Sequence, residues 1–233
     1  LHHREGRNPL KSGFEESKYE SPVALHDSGW LEQGFDWEHP WTPKKQELTI
    51  ESLEKWRKKL NSSSKIRVLD YGCGDAVMVQ FFHGLGYQVE GIDISQVVIS
   101  NNQKKYPHLN FKLITPDTPA PYPDQSFDVI FCSEVIEHLY DVSFAFSDFD
   151  RLLRPGGRLI LTTPYHGLLK NLVIACFFFE THYKLTWQHI RFFTKKSLTE
   201  MCLNHDFIPE RWWRVGRIGP IARSFFVSCR KDG

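Results

Sequence analysis

Val68-Leu69-Asp70-Tyr71-Gly72-Cys73-Gly74-Asp75-Ala76 joins a short apolar run to a segment with helical spacing, and its two glycines stand in the turn between them. Glycines there let the backbone turn sharply and bring bare main chain up to a ligand. A Gly-x-Gly pair also occurs in ordinary tight turns. It gains weight from Asp93, which closes the next apolar run 19 positions after Gly74. A carboxylate at that spacing can accept protons from both ribose hydroxyls. The pattern therefore predicts an adenosine ligand with a free ribose. A dinucleotide would want a third glycine where Val77 stands, and a helix N-terminus open to phosphate. Asp75 at that helix start repels phosphate, so a cationic ligand with an amino acid tail suits the turn better.

Outward from this turn, short apolar runs alternate with helical segments. Arg67–Tyr71, Gln88–Ile94, Asn110–Ile114, Phe127–Ser133 and Arg158–Thr163 read as strands. Ala76–Leu85, Ser95–Tyr106 and Val142–Leu153 read as helices, with a helix stop at Pro155-Gly156-Gly157. Strand and helix in alternation predict an α/β fold with right-handed crossovers, a mostly parallel sheet covered on both faces, and ligands at the carboxyl ends of its strands. Upstream, Glu47–Leu60 reads as an amphipathic helix. Downstream come a helix over Thr194–Asn204 and strands over Ile208–Val215 and Ser224–Arg230. The expected division is an N-terminal arm over 1–45 and one domain over 46–233. The arm's tryptophans are costly to leave in water, so from about Trp30 onward it is expected to pack on the domain or cover a ligand.

With 233 residues and 41% apolar content the chain can bury a full core. Its 29 Lys and Arg against 28 Asp and Glu set up no strong overall field toward nucleic acid or an acidic membrane. The five cysteines contain no CxxC pair, which fits a reducing cytoplasm and not a zinc or redox couple. No apolar signal core stands at the N-terminus, and the apolar run Leu172–Phe179 is too short to span a bilayer, which takes about 20 residues. A soluble cytoplasmic protein is expected.

The motifs VLDYGCGDA, GIDIS, YPDQSFDVIFCSEVIEHL and LLRPGGRLILTTP, in that order, resemble the class I S-adenosylmethionine-dependent methyltransferases. Within them the chain is similar to the small-molecule branch that includes the ubiquinone-biosynthesis O-methyltransferases. The resemblance runs over about Arg67 to Lys231. It implies a Rossmann-like fold with an open seven-stranded sheet whose last strand is antiparallel, S-adenosyl-L-methionine as cofactor and S-adenosyl-L-homocysteine as product. Carried over motif by motif, Gly72, Cys73 and Gly74 line the methionine part and Asp70 helps hold the loop. Asp93 takes the ribose and Ile94 packs on adenine. Asp117 stands a position late for the acidic residue the family often has near the adenine amino group. Ser133 and Glu134 face the methionine part and the transfer site.

Methyl transfer to a hydroxyl requires loss of its proton, to a base or beside a metal. The candidate bases are His138, His166 and His189, each of which can equally be a loop or helix-start residue bonded to its surroundings. Glu134, Glu137, His138 and the distant His189 also resemble the metal-binding set of small-RNA 2′-O-methyltransferases. That reading stands behind the metal-free one, because similar segments occur in non-metal members and the near-neutral charge provides no RNA groove. The expectation is a small-molecule or lipid-linked acceptor methylated at oxygen, with no metal and no nucleic acid. The rivals are a metal-dependent RNA 2′-O-methyltransferase and a catalytically silent cofactor-binding partner subunit. Leu168–Phe179 reads first as core and second as a lid or surface helix meeting a lipid-like acceptor or the membrane interface. Trp212-Trp213 either wall the acceptor pocket or end a strand in the core.

Overall fold

The structure, a computed structural model, describes residues 40–58, 65–182, 189–217 and 222–233, with 23–24, 27–28 and 30 of the arm. The elements run α1 (Thr42–Arg57), β1 (Arg67–Tyr71), α2 (Val77–Gly84), β2 (Gln88–Asp93), α3 (Gln96–Lys105), β3 (Asn110–Leu113) and β4 (Phe127–Ser133). A 3-10 turn (Ile136–His138) follows, then α4 (Val142–Leu152), β5 (Leu153–Pro164), α5 (Leu168–Phe177), α6 (Phe179–His182), α7 (Lys195–Leu203), β6 (Phe207–Val215) and β7 (Ser224–Lys231).

The seven strands form one sheet in the order β3-β2-β1-β4-β5-β7-β6. β1 pairs in parallel with β2 and β4, and β4 with β5. β7 lies antiparallel between β5 and β6, as the resemblance implies for the last strand. Strand order reverses direction between β1 and β4, which opens a crevice at their carboxyl ends. Successive side chains of β1 enter different cores: Val68 joins the cluster with Val79, Phe82 and Trp56, while Leu69 joins that with Phe146, Phe149 and Phe207. Full burial of each such phenylalanine contributes about 1.5–3 kcal/mol.

Caps fix the helix starts. Ser95 Oγ accepts from Val98 N (3.1 Å) and Asp141 Oδ1 from Phe144 N (2.8 Å). Thr194 forms a reciprocal box with Ser197. The residues expected as first and last of two helices, Ser95 and Tyr106, Thr194 and Asn204, are their caps.

Three sequence expectations are corrected. α1 begins at Thr42 instead of Glu47, because Pro43 in its first turn has the fixed φ a helix start favours; the expected end at Leu60 falls outside the described residues. Pro155-Gly156-Gly157 is no helix stop but an irregular stretch inside β5, since Leu153 already pairs with Phe127 before the register shifts. A Cβ on Gly157 would stand 2.8 Å from Arg154 O and 3.0 Å from Asp128 O, so only glycine passes there. Finally, Leu168–Phe179 is not core. Ile174 is buried, but Leu168 and Phe177 are 82% and 78% exposed, and Leu169, Leu172, Phe178 and Phe179 are all more than half exposed.

Candidate active site

The turn after β1 is built as its glycines require. Gly72 (φ +78°) and Gly74 (φ +47°) both lie in the left-handed region. The amides of Gly72 and Cys73 donate to Ile92 O at 2.8 and 2.9 Å, which ties the turn to β2. Cys73 packs so closely on β2 that a Cβ on Gly91 would meet its Sγ at 3.0 Å. Its thiol is buried, and burial holds its pKa well above the usual value, so it acts as an apolar wall.

Asp93 locks the loop from the other side. Its Oδ2 accepts from Gly74 N (3.1 Å) and its Oδ1 from Ser95 N (2.9 Å). Those two bonds fix the carboxylate at the carboxyl end of β2, beside the glycine turn. Asn102, fully buried on α3, donates to Gly74 O at 2.6 Å. Ile94 follows β2 half-buried, packed in part on the core around Leu69. Asp70 is buried, and burial together with Asp93 and Asp75 raises its carboxyl well above the usual range, with Lys45 acting in the opposite sense. Asp117 is exposed in a turn with φ +56°, in a loop fastened through Arg151 to Ala120 O and Tyr122 O.

Lys45 is the residue the sequence reading missed. It lies on the buried stripe of α1 with Thr49, Ser52 and Trp56, at helical spacing, and is itself 8% exposed. Its ammonium donates to Ser133 Oγ (2.9 Å) and stands 3.7 Å from Glu134 Oε1. Thr162 Oγ1 donates to Glu134 Oε1 (2.7 Å), so the Ser133 hydroxyl, 2.7 Å from Thr162 Oγ1, must donate to it. The result is a polarised chain from Lys45 through Ser133 and Thr162 to Glu134. Ser224 Oγ on β7 also donates to Glu134, at 3.2 Å. Glu134 is held at φ +56°, a costly conformation for a side-chain-bearing residue that its contacts over-determine. The signal that could have found Lys45 is its helical spacing with Leu48, Ser52 and Trp56, which places a lysine on the face of α1 that packs on the domain.

Arm residues reach this site. The Trp30 ring lies 3.0 Å from where a Gly74 Cβ would stand, and Asp27 accepts a hydrogen bond from the Ser95 hydroxyl. Phe35 and Trp37 fall outside the described residues.

The histidines gather beyond β4 and β5. His138 and His189 rings meet edge to face with centroids 4.8 Å apart. His166 is buried against Phe192, with Nδ1 3.4 Å from Asn171 Oδ1. Burial, with Lys170 adding to it, lowers the His166 pKa to about 4. Burial lowers His189 as well. Both rings are therefore neutral hydrogen-bonding groups near pH 7, with little hold on an abstracted proton. A cleft of about 460 Å³ opens beside His166, with Tyr165, Leu168, Thr194, Trp212 and Phe225 among its walls. Trp212 thus lines a pocket, its ring edge to face with Phe225 at 5.6 Å.

A family model described as a methyltransferase domain matches residues 45–209, and the chain belongs to that family. It has the class I S-adenosylmethionine-dependent methyltransferase fold and cofactor type. It is 27% identical over 173 residues to a ubiquinone biosynthesis O-methyltransferase of Bradyrhizobium sp., covering 70% of this chain and 66% of that one. A protein of the same description from Paraburkholderia phymatum is 33% identical over 101 residues, 42% of this chain and 44% of its own. The chain therefore spans less than two thirds of these relatives' lengths. In fold it resembles Burkholderia thailandensis 1,6-didemethyltoxoflavin-N1-methyltransferase, whose structure holds 1,6-didemethyltoxoflavin and S-adenosylhomocysteine. The TM-score is 0.63 at 17% identity, over 90% of this chain and 88% of that one.

Proposed function

We propose that this chain transfers the methyl group of S-adenosylmethionine to an oxygen of a small-molecule or lipid-linked acceptor. The observation that carries this reading is the Gly72–Gly74 turn, stitched through Gly74 N to Asp93 at the crevice between β1 and β4. A separate cleft is walled by the aromatic rings of Tyr165, Trp212, Trp213 and Phe225 together with His166 and the cations Lys195, Lys196 and Arg214.

In this reading Asp93 holds the ribose, Ile94 packs on adenine, and Asp117 stands toward the adenine edge. Gly72, Cys73 and Gly74 receive the methionine part, with Asp70 steadying the loop. Lys45, set on Ser133 beside Glu134, presents its ammonium to the cofactor's carboxylate. Trp30 closes over the turn. The acceptor lies on the side of His166, Trp212 and Phe225. Its O–H bond breaks, the oxygen attacks the sulfonium methyl, and the C–S bond breaks as the C–O bond forms. The methyl ether, S-adenosylhomocysteine and a proton are the products, and in-line positioning supplies much of the acceleration. His166, neutral and buried, orients the hydroxyl by accepting its hydrogen bond; His138 and His189 pack on each other beyond β4.

The exposed apolar residues of α5 and α6 support a lipid-linked acceptor and contact with a membrane interface. Among the described residues no helix is long and apolar enough to cross a membrane. All five cysteines are thiols, which supports a reducing, cytoplasmic setting. The test is incubation with methyl-labelled cofactor and pooled phenols, sugars, fatty acids, prenylated phenols and RNA. Label in the phenol or prenylated pool is expected. Label only in RNA would overturn the acceptor class, and absence of turnover with every pool would favour a silent cofactor-binding subunit.

A further inference from the structure

Trp212 and Arg214 stand two apart on β6 and so point to one face of that strand. Lys195 and Lys196 open α7, Tyr165 and His166 follow β5, and all six residues line the cleft of about 460 Å³. None of the described residues that line it is acidic, although the whole chain has 28 Asp and Glu against 29 Lys and Arg. Charge is therefore sorted at this cleft, which the near-neutral total conceals. Lys195 Nζ stands 5.4 Å from the centroid of the Trp212 ring, and Arg214 Cζ stands 5.4 Å from that of Tyr165, so cations and ring faces are presented together. Glu200 lies 3.8 Å from Lys196 along α7, an exposed pair that neutralises little. Behind the wall, Lys170 is harder to protonate than usual, through burial first and then through Arg217 and Arg223, so the positive potential extends beyond the lining residues.

The inner end of the cleft has a different character. His166 is 6% exposed, and its Nε2 is buried without a hydrogen-bond partner. Its Nδ1 stands 3.4 Å from Asn171 Oδ1, which can only accept, so Nδ1 carries the ring proton and Nε2 offers a lone pair. A buried acceptor left unmatched is costly, and a ligand hydroxyl donating to it removes the deficit. We propose that this cleft takes an acceptor with a flat aromatic body, a hydroxyl donated to His166 Nε2, and an anionic group, carboxylate or phosphate, held at the rim by Lys195, Lys196 and Arg214. The exposed cations set the anion at the mouth, the rings cover the body, and the imidazole fixes the hydroxyl at the floor.

This inference deepens the proposed function by naming the acceptor's class, and it rests on that function only for the occupant's being methylated. The cleft can be tested without turnover. The full chain is titrated calorimetrically at low salt with 6-hydroxy-2-naphthoate, with 2-naphthol, which lacks the anion, and with 2-naphthoate, which lacks the hydroxyl. S-adenosylhomocysteine affinity is measured on every protein. The hydroxynaphthoate is expected to bind at least about fivefold more tightly than either, roughly what one net hydrogen bond contributes. Added salt should erode its advantage over 2-naphthol and spare that over 2-naphthoate, because the rim charges are exposed and His166 is not. Lys195→Gln combined with Arg214→Gln should abolish the first advantage and His166→Phe the second, each leaving S-adenosylhomocysteine affinity within a few fold. If His166→Phe does not fold, the exposed rim variants carry the comparison. Comparing 2-naphthoate with 2-naphthyl phosphate tells which anion the rim prefers, and either order upholds the site. No binding of any naphthyl probe, equal affinity for hydroxynaphthoate and naphthol, or a preference indifferent to the substitutions overturns the inference, and normal S-adenosylhomocysteine binding in those proteins leaves the proposed function standing. A substitution-sensitive preference without S-adenosylhomocysteine binding upholds the cleft and refutes the proposed function.

Discussion

Gly72→Ala tests the architecture of the cofactor turn most directly, because both of its costs can be worked from the structure. The residue sits at φ +78°, where a side-chain-bearing residue is disfavoured by roughly 1–2 kcal/mol. The added Cβ would stand 2.3 Å from Val135 Cγ2, far inside contact distance, on a residue directly beyond Glu134 in the site. Overpacking of this kind costs typically about 1–3 kcal/mol. Together they predict a loss of about 2–5 kcal/mol, which at about 2–4 °C per kcal/mol for a domain of this size lowers Tm by roughly 4–20 °C. Gly74→Ala is the internal control: it has the same backbone problem but meets only the Trp30 ring, at 3.0 Å. It should lose only the backbone part, about 1–2 kcal/mol. Val135→Ala in the Gly72→Ala background should recover the packing part alone, since residues in contact are coupled. Urea denaturation of the four proteins gives each difference. A Gly72→Ala protein as stable as the parent, or a Val135→Ala change that recovers nothing, would refute the close approach on which the turn is built.

Asp93→Ala should weaken S-adenosylhomocysteine binding by about 1.5–3 kcal/mol, the typical value of hydrogen bonds to a charged group, and an unchanged calorimetric Kd in a folded variant removes Asp93 from the site. Lys45→Met should cost the cofactor a comparable amount but leave 5′-methylthioadenosine, which lacks the amino acid tail, binding as before; equal losses for both ligands would mean Lys45 shapes the pocket without meeting the carboxylate. His166 is harder to protonate folded, with a pKa of about 4, than unfolded, near 6.5, so the unfolded chain takes up the proton first as pH falls. Its contribution is fully present above about pH 6.5 and is lost progressively toward pH 4, so His166→Gln should flatten that part of a stability–pH curve, and an unaltered slope contradicts its burial as a neutral ring. Replacing Leu168, Leu172 and Phe177 by serine should abolish co-sedimentation with phosphatidylcholine–phosphatidylglycerol vesicles with little change in Tm, because those side chains are 52–82% exposed; a large drop in Tm would show that they are packed after all.

The cofactor side of the molecule was legible because its contacts are local in sequence. Gly72, Gly74 and Asp93 lie within one βαβ unit, and the hydrogen bond from Gly74 N to Asp93 closes over 19 residues. Strand and helix periods there match the burial, down to Ser95 and Thr194 as caps. Leu168–Phe179 shows where periodicity falls short. An apolar run normally reports burial, but hydrophobicity carries no information about whether the partner surface belongs to the same chain. Pro155-Gly156-Gly157 misled for a related reason: a helix-stop signal and a strand irregularity need the same residues, and pairing with Phe127 decided between them.

The long-range pairings of the candidate site were illegible from spacing because β7 and α1 bring their residues in from far away in the chain. By entering antiparallel between β5 and β6, β7 brings Phe225 beside Tyr165 and Trp212, and Ser224 onto Glu134, 90 positions upstream. Lys45 reaches Ser133 across 88 positions. His189 reaches His138 only because Glu137 O captures the amides of Ile190 and Arg191. Each of these contacts joins a residue to a partner far outside its own motif window, so spacing within the motifs shows candidate residues but not which of them meet. This division has a chemical consequence. Under the proposed function, the turn that would receive the cofactor is closed largely by bonds within one βαβ unit, while the wall proposed for the acceptor depends on strands β5, β6 and β7 together. Substitutions at the β5–β7 pairs should therefore change acceptor choice before they change cofactor affinity, and in a variant such as Phe225→Ala, which removes the ring packed on Tyr165 and Trp212, transfer should fall further than S-adenosylhomocysteine binding.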